Sequence, residues 1–432
     1  MIRINCSGCS LLCDDIFVNT NGSIIDQVIG ACKKGKQRLD QLNAKNRITS
    51  PMIRKNKELK KVSWEEALNK VKEIIKNSSK PILYGFSTSS CEAQLKGIEL
   101  AKKINGFIDS NSIICQGKVL NVAKDSGITL TTLAEIINKA DLLILWGANI
   151  ADSIPRLLNK ALFSRGKFRL TGREIKTIIM IDPIKTASFE VMQMRDTALY
   201  IQLGKDIDLI RFLKENISID REIIENKIAG LDKEDIKRLI INLMNAEYGV
   251  IFVGQGLLKS NPEYNILKEL IELVRAINSK NEKGRLSLVF LGGHYNMVGF
   301  EHVALSFYGK NHSLQFSDNL LVNTNDTIVN KVANDDFDCS VIVGTDPISN
   351  FPSFLSNKLA SKPLILIDNK KSATMEVADV FLPSSLTGLE CEGLAYRFDH
   401  VPIQLKKILN PPSDVLSDEE ILNNIIKEIN KK

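Results

Sequence analysis

Nine short apolar runs, each about as long as a β-strand, limit what this chain can fold into. Most of them are apolar throughout, which is typical of strands that are buried on both faces of a parallel sheet. Helical patterns lie between many of the runs, for example at residues 206–215 and 265–277. The sequence therefore predicts an α/β fold, doubly wound, with more than one sheet domain. The runs cover residues 81–86, 141–146, 177–181, 199–203, 249–253, 286–291, 341–343, 363–367 and 377–382.

Small or polar residues follow most of these runs. In open α/β sheets, ligands bind just beyond the carboxyl ends of the strands. Glycine lets the backbone approach a ligand, and Asp or Asn can accept hydrogen bonds from a ribose or a base. A single strand end of this kind is more often only a turn, but the series favours a large, nucleotide-like ligand. The candidate residues are Gly147, Asn149, Asp182, Pro183, Gly204, Gly254, Gly256, Gly293, His294, Thr345, Asp346 and Asp368.

Four of the eight cysteines lie near the N-terminus. Cys6, Cys9 and Cys13 are close together in the sequence, and Cys32 follows at a distance. Three thiolates on one compact loop with a distant fourth are a common way to hold a [4Fe–4S] cluster. Structural zinc ions usually take their ligands as two separated pairs, so the spacing favours a cluster, with zinc as the alternative.

Cys115 and the histidines are the other candidates for site chemistry. A thiolate at the turn that carries Cys115 could bind molybdenum or tungsten, although a lone cysteine is more often a core residue. The four histidines form no HxH or HExxH pair, which argues against a binuclear zinc hydrolase site. Among them, His294 follows a predicted strand and is the candidate catalytic residue, with a structural histidine as the alternative.

Composition and charge exclude several classes of function. The net charge is +6, and the basic residues are spread along the chain, so a nucleic-acid partner is poorly supported. The apolar runs are far shorter than a spanning helix. The N-terminal residues lack the apolar core of a signal peptide. We therefore expect a cytoplasmic protein whose cysteines are reduced or bound to metal.

The order of these features resembles the molybdopterin oxidoreductases of the formate dehydrogenase-like group and, more narrowly, the catalytic B subunits of formylmethanofuran dehydrogenases. The sequences at residues 47–54 and 62–68 resemble the start of that superfamily. The closer match lies in five segments that span nearly the whole chain, at residues 6–16, 140–156, 165–183, 293–300 and 382–399.

The resemblance implies a set of cofactors and ligands. It implies a [4Fe–4S] cluster and a bis-molybdopterin guanine dinucleotide that carries tungsten or molybdenum. Cys115 stands where the family has its metal-ligating cysteine, and Lys34 matches a lysine between cluster and pterin. Gln116 and His294 would lie at the reaction centre. Trp146, Asp206 and Asn296 join the candidate cofactor-binding residues.

The resemblance also implies a reaction and partners. CO2 would be reduced to formate at the metal, with electrons delivered through the cluster from a ferredoxin-type donor. A zinc amidohydrolase subunit would then condense formate with methanofuran. The larger relatives have a C-terminal β-barrel that completes the pterin site, and here a partner subunit would supply it.

The domain prediction also follows the family. We expect a cluster subdomain at residues 1–56, a first pterin-binding α/β domain at 57–110 and 291–432, and a second at 111–290.

Two departures from the family pattern keep alternative functions open. Gln116 replaces the family's histidine, and residues 316–323 lack an expected arginine. The alternatives are a non-redox scaffold homologue in a formyltransferase/hydrolase complex and another pterin-dependent, formate dehydrogenase-like oxidoreductase.

Overall fold

The computed structural model describes residues 1–43, 47–115, 117, 119–164, 166, 176–193, 198–218, 223, 226–260 and 265–431. Within these residues the strands are β1 (Ile2–Ile4), β2 (Ile16–Asn21), β3 (Ile24–Ile29), β4 (Met52–Lys55), β5 (Glu58–Lys61), β6 (Pro81–Gly85), β7 (Phe107–Ser110), β8 (Leu142–Trp146), β9 (Thr177–Ile181), β10 (Ala198–Ile201), β11 (Lys227–Ile228), β12 (Leu231–Asp232), β13 (Tyr248–Val253), β14 (Arg285–Phe290), β15 (Leu314–Ser317), β16 (Leu320–Val322), β17 (Cys339–Val343), β18 (Leu364–Asp368), β19 (Val380–Pro383), β20 (Gly393–Tyr396) and β21 (Pro402–Leu405).

The helices of the same residues connect these strands. They are α1 (Lys33–Asp40), α2 (Trp64–Lys76), α3 (Cys91–Lys103), α4 (Val119–Ser126), α5 (Leu133–Lys139), α6 (Ile150–Ser153), α7 (Ala187–Met192), α8 (Asp206–Asn216), α9 (Lys233–Asn245), α10 (Gln255–Leu258), α11 (Ile266–Lys280), α12 (Met297–Tyr308), α13 (Ile328–Ala333), α14 (Pro347–Asn350), α15 (Ser353–Ala360), α16 (Ala373–Val377) and α17 (Asp418–Asn430). Short 3₁₀ helices lie at Gln41–Asn43 and Asn111–Ile114, and a π-helical turn lies at Leu158–Leu162.

The chain forms two compact units. Unit 1 contains Met1–Gly117, His294–Arg397 and Pro402–Lys432, and unit 2 contains Lys118–Gly293 with Phe398–Val401. Each predicted apolar run contributes a strand, with ends shifted by no more than a few residues. No helix in the described part of the chain is both long and apolar enough to cross a bilayer.

Unit 2 is built around a parallel sheet with the order β10-β9-β8-β13-β14. Numbered along the chain, this is the order 3-2-1-4-5 of a doubly wound fold, in which the strand order reverses between β8 and β13. Such a reversal opens a crevice at the carboxyl ends of the two strands, where dinucleotides bind in folds of this kind. Helices α8, α9 and α11 cover one face of the sheet with a continuous apolar core.

Unit 1 has a larger sheet with the order β16-β15-β7-β6-β17-β18-β19-β4-β5. Its centre, from β7 to β19, is parallel as predicted and has the order 2-1-3-4-5, which reverses between β6 and β17. Antiparallel strands that the sequence did not predict extend both edges, through β15–β16 and β4–β5. Helices α2, α3, α12 and α17 pack on one face, and α13 and α15 pack on the other.

Helix α2 shows how local sequence sets these elements. Its N-cap Ser63 accepts a hydrogen bond from the backbone N–H of Glu66, which satisfies one of the free donors of the first turn. The Glu66 carboxylate pairs with Lys55 at 2.6 Å. The buried stripe of α2, which includes Val71 and Ile75, faces the sheet.

Candidate functional site

The cysteine quartet lies in a small antiparallel sheet, β1–β3, and in helix α1 of unit 1. Cys6, Cys9 and Cys13 lie on the loop between β1 and β2, which closes on itself through a bond from the Cys6 N–H to the Cys13 carbonyl at 2.8 Å. Cys32 is the N-cap residue of α1. A Cβ at Gly35 would lie 3.0 Å from Sγ of Cys6, so this glycine lets α1 approach the loop.

The four thiols are close enough for their charges to interact. Burial raises the pKa of Cys6 to about 12 and that of Cys9 to about 11, and the neighbouring thiols add to both shifts. The backbone N–H groups of Gly8 and Leu11 donate to these two sulfurs and oppose the shifts. In the described chain, no three His, Cys, Asp or Glu side chains are arranged to hold a metal ion.

Leu12 anchors the cysteine loop to the rest of unit 1. Its φ of 44° is in the left-handed region, which costs a residue other than glycine about 1–3 kcal/mol. Its side chain is 1% exposed and packs with Tyr295, Ala395 and Leu405. Burial of a leucine side chain contributes a similar amount, about 1.5–3 kcal/mol. The strained loop is therefore held in place by an apolar contact.

Lys34 links the quartet electrostatically to His294. Its ammonium group lowers the pKa of Cys9 and also that of His294. The His294 ring is solvent-accessible. The surrounding protein atoms, followed by the charges of Lys34 and Lys370, lower the pKa of His294 to about 4. We therefore take the imidazole as neutral near pH 7 and, because water reaches it, infer no contribution to stability.

A chain of hydrogen bonds joins His294 to the ends of three parallel strands. Nδ1 of His294 lies 2.9 Å from Oγ of Ser87, which donates to Oδ1 of Asn111 at 2.7 Å. Nδ2 of Asn111 donates to Oγ1 of Thr345 at 2.8 Å and to the hydroxyl of Tyr84 at 3.3 Å. The Ser87 hydroxyl has one proton and donates it to Asn111, so it must accept a hydrogen bond from His294. The imidazole proton is therefore on Nδ1, and Nε2 is left as an acceptor.

Cys115 ends the 3₁₀ helix at the carboxyl end of β7. Its backbone (φ −106°, ψ −101°) breaks from the helix. The carbonyl of Ser112 accepts from the N–H of Cys115 at 2.8 Å and from that of Gly117 at 2.7 Å, which closes a tight turn. Asn311 secures this turn by donating to the Gly117 carbonyl at 2.6 Å. The predicted catalytic residue Gln116 lies outside the described residues.

Asp368 and Asp346, two predicted binding residues of unit 1, differ in whether the protein itself satisfies their carboxylates. Asp368 ends β18 at 2% exposure, and its Oδ2 has no hydrogen-bond partner among the described residues. Burial raises its pKa to about 6. Asp346, by contrast, accepts hydrogen bonds from Ser349, Ala373 and Thr374. These bonds within the protein account for its carboxylate, and no ligand is needed to do so.

Asn296 also has a structural role. Its amide donates to the Ser89 carbonyl at 2.8 Å, and its Oδ1 accepts from the N–H of Tyr396 at 2.8 Å. A Cβ at Gly299 would lie 2.0 Å from this Oδ1. The Asn296–Gly299 pair therefore packs the entry of α12 against β20.

In unit 2, three predicted glycines meet where the strand order reverses. The N–H groups of Gly254 and Gly256 donate to the carbonyls of Trp146 and Gly147, at 2.9 and 3.0 Å. A Cβ at Gly254 would lie 2.0 Å from the Gly147 carbonyl oxygen, and Gly147 has a φ of 57°. Close packing of two strand-end loops thus explains these glycines. Around Gly204 and Gly293 there is open space.

The polar residues at this edge of unit 2 are also paired. Nε1 of Trp146 donates to Oδ1 of Asp206 at 2.7 Å. Oδ1 of Asn149 accepts from Ser188 at 2.9 Å, and its amide donates to Asp152. Burial, with a smaller effect of nearby Asp206, raises the pKa of Asp182. Pro183 follows Asp182 and is exposed, with its carbonyl accepting from Gln202 at 3.1 Å.

Sequence reasoning missed Ser87 and Asn111. Both are buried, and both follow parallel strands in short polar segments, at residues 87–90 and 109–112. A polar segment directly after an apolar run is the same kind of signal as the glycine and aspartate residues that follow the other strands. It was less visible because serine is common in turns.

Comparison with known proteins gives consistent matches. The molybdopterin oxidoreductase family model matches residues 47–428. The chain is 31% identical to the B subunit of the tungsten-containing formylmethanofuran dehydrogenase 2 of Methanocaldococcus jannaschii, over 99% of this chain and 98% of that protein. It is 30% identical to the protein of the same name from Methanococcus maripaludis, with the same coverage of both chains.

Solved structures support the fold. Acetylene hydratase from Pelobacter acetylenicus has a TM-score of 0.70 at 13% identity and covers 99% of this chain and 69% of its own. A chain of the formyltransferase/hydrolase complex from Methylorubrum extorquens has a TM-score of 0.67 at 17% identity, and covers 84% of this chain and 95% of its own. At these identities the likeness concerns the fold alone. The chain belongs to the molybdopterin oxidoreductase family and, within it, to the group of formylmethanofuran dehydrogenase B subunits.

Proposed function

We propose that this chain is the redox subunit of a formylmethanofuran dehydrogenase, which reduces CO2 to formate with electrons that enter through a [4Fe–4S] cluster. The observation that carries the proposal is the arrangement of unit 1, where the cysteine quartet shares one closed loop and the start of α1, and Lys34 of that helix lowers the pKa of both Cys9 and His294. Full-length similarity to subunits of that name supports the same reaction.

The quartet of Cys6, Cys9, Cys13 and Cys32 fits a cluster chemically. The buried thiols of Cys6 and Cys9, whose pKa values are raised, would stay protonated, and four neighbouring thiolates would repel one another. An iron–sulfur cluster supplies the positive iron centres that make thiolate ligation favourable. The N–H groups that point at two of the sulfurs are the kind of hydrogen bond that tunes cluster potentials.

A bis-molybdopterin guanine dinucleotide also fits the residues present. Each unit has a strand-order reversal of the kind at which dinucleotides bind, between β6 and β17 and between β8 and β13. The unpartnered Oδ2 of Asp368 suits an N–H donor of a pterin or purine. In unit 1, Cys115 would bind the tungsten or molybdenum and Thr345 would offer a further contact; in unit 2, the open space around Gly204 and Gly293 would leave room for a dinucleotide.

When bound, the cofactor would supply the metal centre and the two-electron chemistry of CO2 reduction. The side chains of this chain would position that centre and the substrate. Neutral His294, held by Ser87, would present Nε2 as a hydrogen-bond acceptor beside the positive charges of Lys34 and Lys370. A zinc amidohydrolase subunit would condense the formate with methanofuran, a partner with a β-barrel would complete the pterin site, and a ferredoxin-type protein would donate electrons.

Metal and turnover analysis of the anaerobically purified complex tests this proposal. We expect iron, sulfide and tungsten or molybdenum, together with viologen-linked interconversion of CO2 and formate. The substitution Cys32→Ser should remove most of the iron. Cys391→Ser is the matched control, because Cys391 is also half-buried in unit 1 but lies outside the quartet. Zinc in place of iron, with neither tungsten nor molybdenum, would refute the proposal.

One observation favours a second candidate function. Gln116 stands where the family has a histidine, and an amide cannot act as a general acid near neutral pH. A non-redox scaffold homologue, or a pterin-dependent oxidoreductase for another small substrate, would tolerate that change. Viologen-linked turnover of formate or CO2 by the assembled complex would exclude the scaffold, and formation of formylmethanofuran from CO2 would exclude the oxidoreductase for another substrate.

A further inference from the structure

Helix α1 has two basic faces with different surroundings. Lys34 and Arg38 lie one turn apart on the inner face, where Lys34 lowers the pKa of His294 and Arg38 donates a hydrogen bond to the cysteine loop at 3.4 Å. Lys33 and Lys36, on the other face, are exposed, and neither is paired with an acidic side chain in the part of the chain that the structure describes. The inner cations belong to the site described above, whereas the outer two have no part in it.

The position of Lys33 and Lys36 is unfavourable for the helix itself. They are the first and fourth helical residues after the N-cap residue Cys32, and no acidic residue lies in the first turn. Cations at a helix N-terminus oppose the helix dipole, and like charges three residues apart repel each other. Asp40, the acid on this face, lies at the C-terminal end of α1 and pairs with neither lysine. The two lysines therefore do not stabilise α1, which favours a role toward another molecule.

An exposed apolar pair borders these lysines. Phe17 of β2 and Ile29 of β3 are direct cross-strand neighbours, so their side chains share one face of the small sheet. They are 38% and 45% exposed, on the face opposite to the buried Ile16 and Val18. Three residues separate Ile29 from Lys33, so their Cα atoms lie within about 15 Å of each other. An apolar centre with a charged rim is typical of a protein–protein interface.

The charges on this surface favour an anionic partner. Residues 29–39 contain four cations and no acid. Asp14, on the loop before β2, is paired with the exposed Arg3 at 3.2 Å, so it does not offset the lysines. Asp26 lies along β3 on the far side of Ile29 from the lysines. The net positive charge is therefore concentrated at the start of α1, directly after Cys32.

We propose that Lys33, Lys36, Phe17 and Ile29 form the surface on which the ferredoxin-type electron donor docks, and we call it the donor surface. This inference rests on the proposed function. The donor would approach from the side opposite to His294. One electron at a time would pass from the reduced cluster of the donor to the cluster of this chain, with no bond formed or broken.

Electrostatics explain why cations are needed at this place. A [4Fe–4S] core that is bound by four thiolates carries a net negative charge. The clusters of donor and acceptor therefore repel each other as they approach. Two cations beside Cys32, which would be the fourth cluster ligand, offset this repulsion and pair with carboxylates around the donor cluster.

Cross-linking of the assembled complex tests the identity of the partner without any need for turnover. A carbodiimide joins lysine amines to carboxylates that they contact, and mass spectrometry identifies the joined residues. With a purified 2[4Fe–4S] ferredoxin added at low ionic strength, we expect Lys33 or Lys36 to be joined to a carboxylate of that ferredoxin or of a resident ferredoxin-type subunit. Links from these lysines to a subunit of any other kind, or no intermolecular link from either, would overturn the proposal.

Charge reversal tests the role in electron transfer. We expect Lys33→Glu combined with Lys36→Glu to lower the rate of ferredoxin-linked CO2 reduction by about 10-fold at low salt, and the difference to shrink at high salt. Viologen-linked turnover should not fall, because a small viologen dication needs no docking surface. Misfolding would not explain such a result, since glutamate near a helix N-terminus is favourable.

The matched control is Lys60→Glu combined with Lys61→Glu. Both lysines are exposed on β5, outside the donor surface, and the change in charge is the same. This variant should keep the wild-type rate of ferredoxin-linked turnover. An equal loss in both double variants would mean that net charge, and not the donor surface, governs the reaction with ferredoxin, and the proposal would be wrong.

A redox titration separates docking from an effect of the lysines on the cluster. Phe17→Ser removes an exposed ring without a change in charge, so it should raise KM for the ferredoxin and leave the cluster potential, followed by electron paramagnetic resonance, at its wild-type value. If the reversal of Lys33 and Lys36 shifted that potential and lowered ferredoxin-linked and viologen-linked turnover equally, these lysines would only tune the cluster, and the docking role would be wrong.

The outcomes also separate this proposal from the proposed function. If the wild-type complex turns over with ferredoxin and with viologen, and the reversal of Lys33 and Lys36 changes neither rate, the donor surface is wrong and the redox function stands. If the wild-type complex, with metal and cluster present, turns over neither CO2 nor formate with viologen, the redox function fails, and the docking role fails with it.

Discussion

At the scale of single residues, Arg47 and Glu390 form a buried bidentate ion pair, with both N–O distances at 2.5 Å and side-chain exposures of 8% and 2%. Arg47→Met would leave a buried carboxylate without its cation, so we expect a loss of about 3–5 kcal/mol in the free energy of unfolding. Urea denaturation would measure it.

The exposed pair of Lys55 and Glu66 provides the control for that experiment. Both side chains are about half exposed. Lys55→Met should therefore cost less than about 1 kcal/mol. If Arg47→Met and Lys55→Met lowered the free energy of unfolding by similar amounts, burial would not be what makes an ion pair strong in this protein.

The sequence predicted some residues of the site better than others. The spacing of the cysteines is local, so the quartet could be singled out without a fold. Ser87 acquires its role from its contact with His294, which lies 207 positions away, and no local pattern reveals such a contact. Asp346 follows a strand as expected and Asn296 precedes α12, but the chain itself satisfies the polar groups of both.

At the scale of elements, the crossing of the loops after β8 and β13 has no room for a side chain. Gly254→Ala would place Cβ 2.0 Å from the Gly147 carbonyl oxygen, against backbone that cannot move aside easily. We expect a loss of about 1–3 kcal/mol or more in the stability of unit 2, as for other overpacked sites. Thermal unfolding followed by circular dichroism would measure it.

Gly204→Ala is the matched control, since Gly204 also follows a strand of this sheet but has nothing within 4 Å of a built Cβ. This variant should unfold at nearly the wild-type temperature. Equal destabilisation by both substitutions would contradict the steric explanation of the crossing.

The elements also show why the central strands of the sheets could be predicted from the sequence and the edge strands could not. Central strands such as β8 and β18 are buried along their whole length, and their apolar runs identify them. Edge strands such as β5 and β16 are short and largely exposed, and β5 carries charged residues. Their pairing depends on the neighbouring strand and on turns such as Asp318-Asn319, where both φ angles are positive.

At the scale of the whole molecule, strand order is what the sequence could not supply. Both reversals, between β6 and β17 and between β8 and β13, join strands that are far apart along the chain. Local patterns identify strands and helices, whereas the order depends on which long-range pairing buries the most apolar surface. The apolar runs predicted more than one sheet domain, but they could not show which runs share a sheet.

Removing the proposed cluster should affect the two units unequally. The β1–β3 subdomain is small, and its cysteine loop is held by Leu12, by a hydrogen bond from Ser7 to the Thr387 carbonyl and by the contacts around the quartet. Without the cluster, we expect faster amide hydrogen exchange in this loop and in α1, because small subdomains depend on their metal staples. The five-stranded sheet of unit 2 has its own core and should keep its protection.

Hydrogen exchange followed by mass spectrometry, on the wild-type protein and on Cys32→Ser, would measure this effect. Cys391→Ser again serves as the control and should resemble the wild type throughout. Faster exchange in β8, β13 and β14 of Cys32→Ser would mean that the quartet stabilises the whole chain. Unchanged exchange in the loop and α1 would mean that Leu12 and the backbone bonds hold the subdomain without a metal.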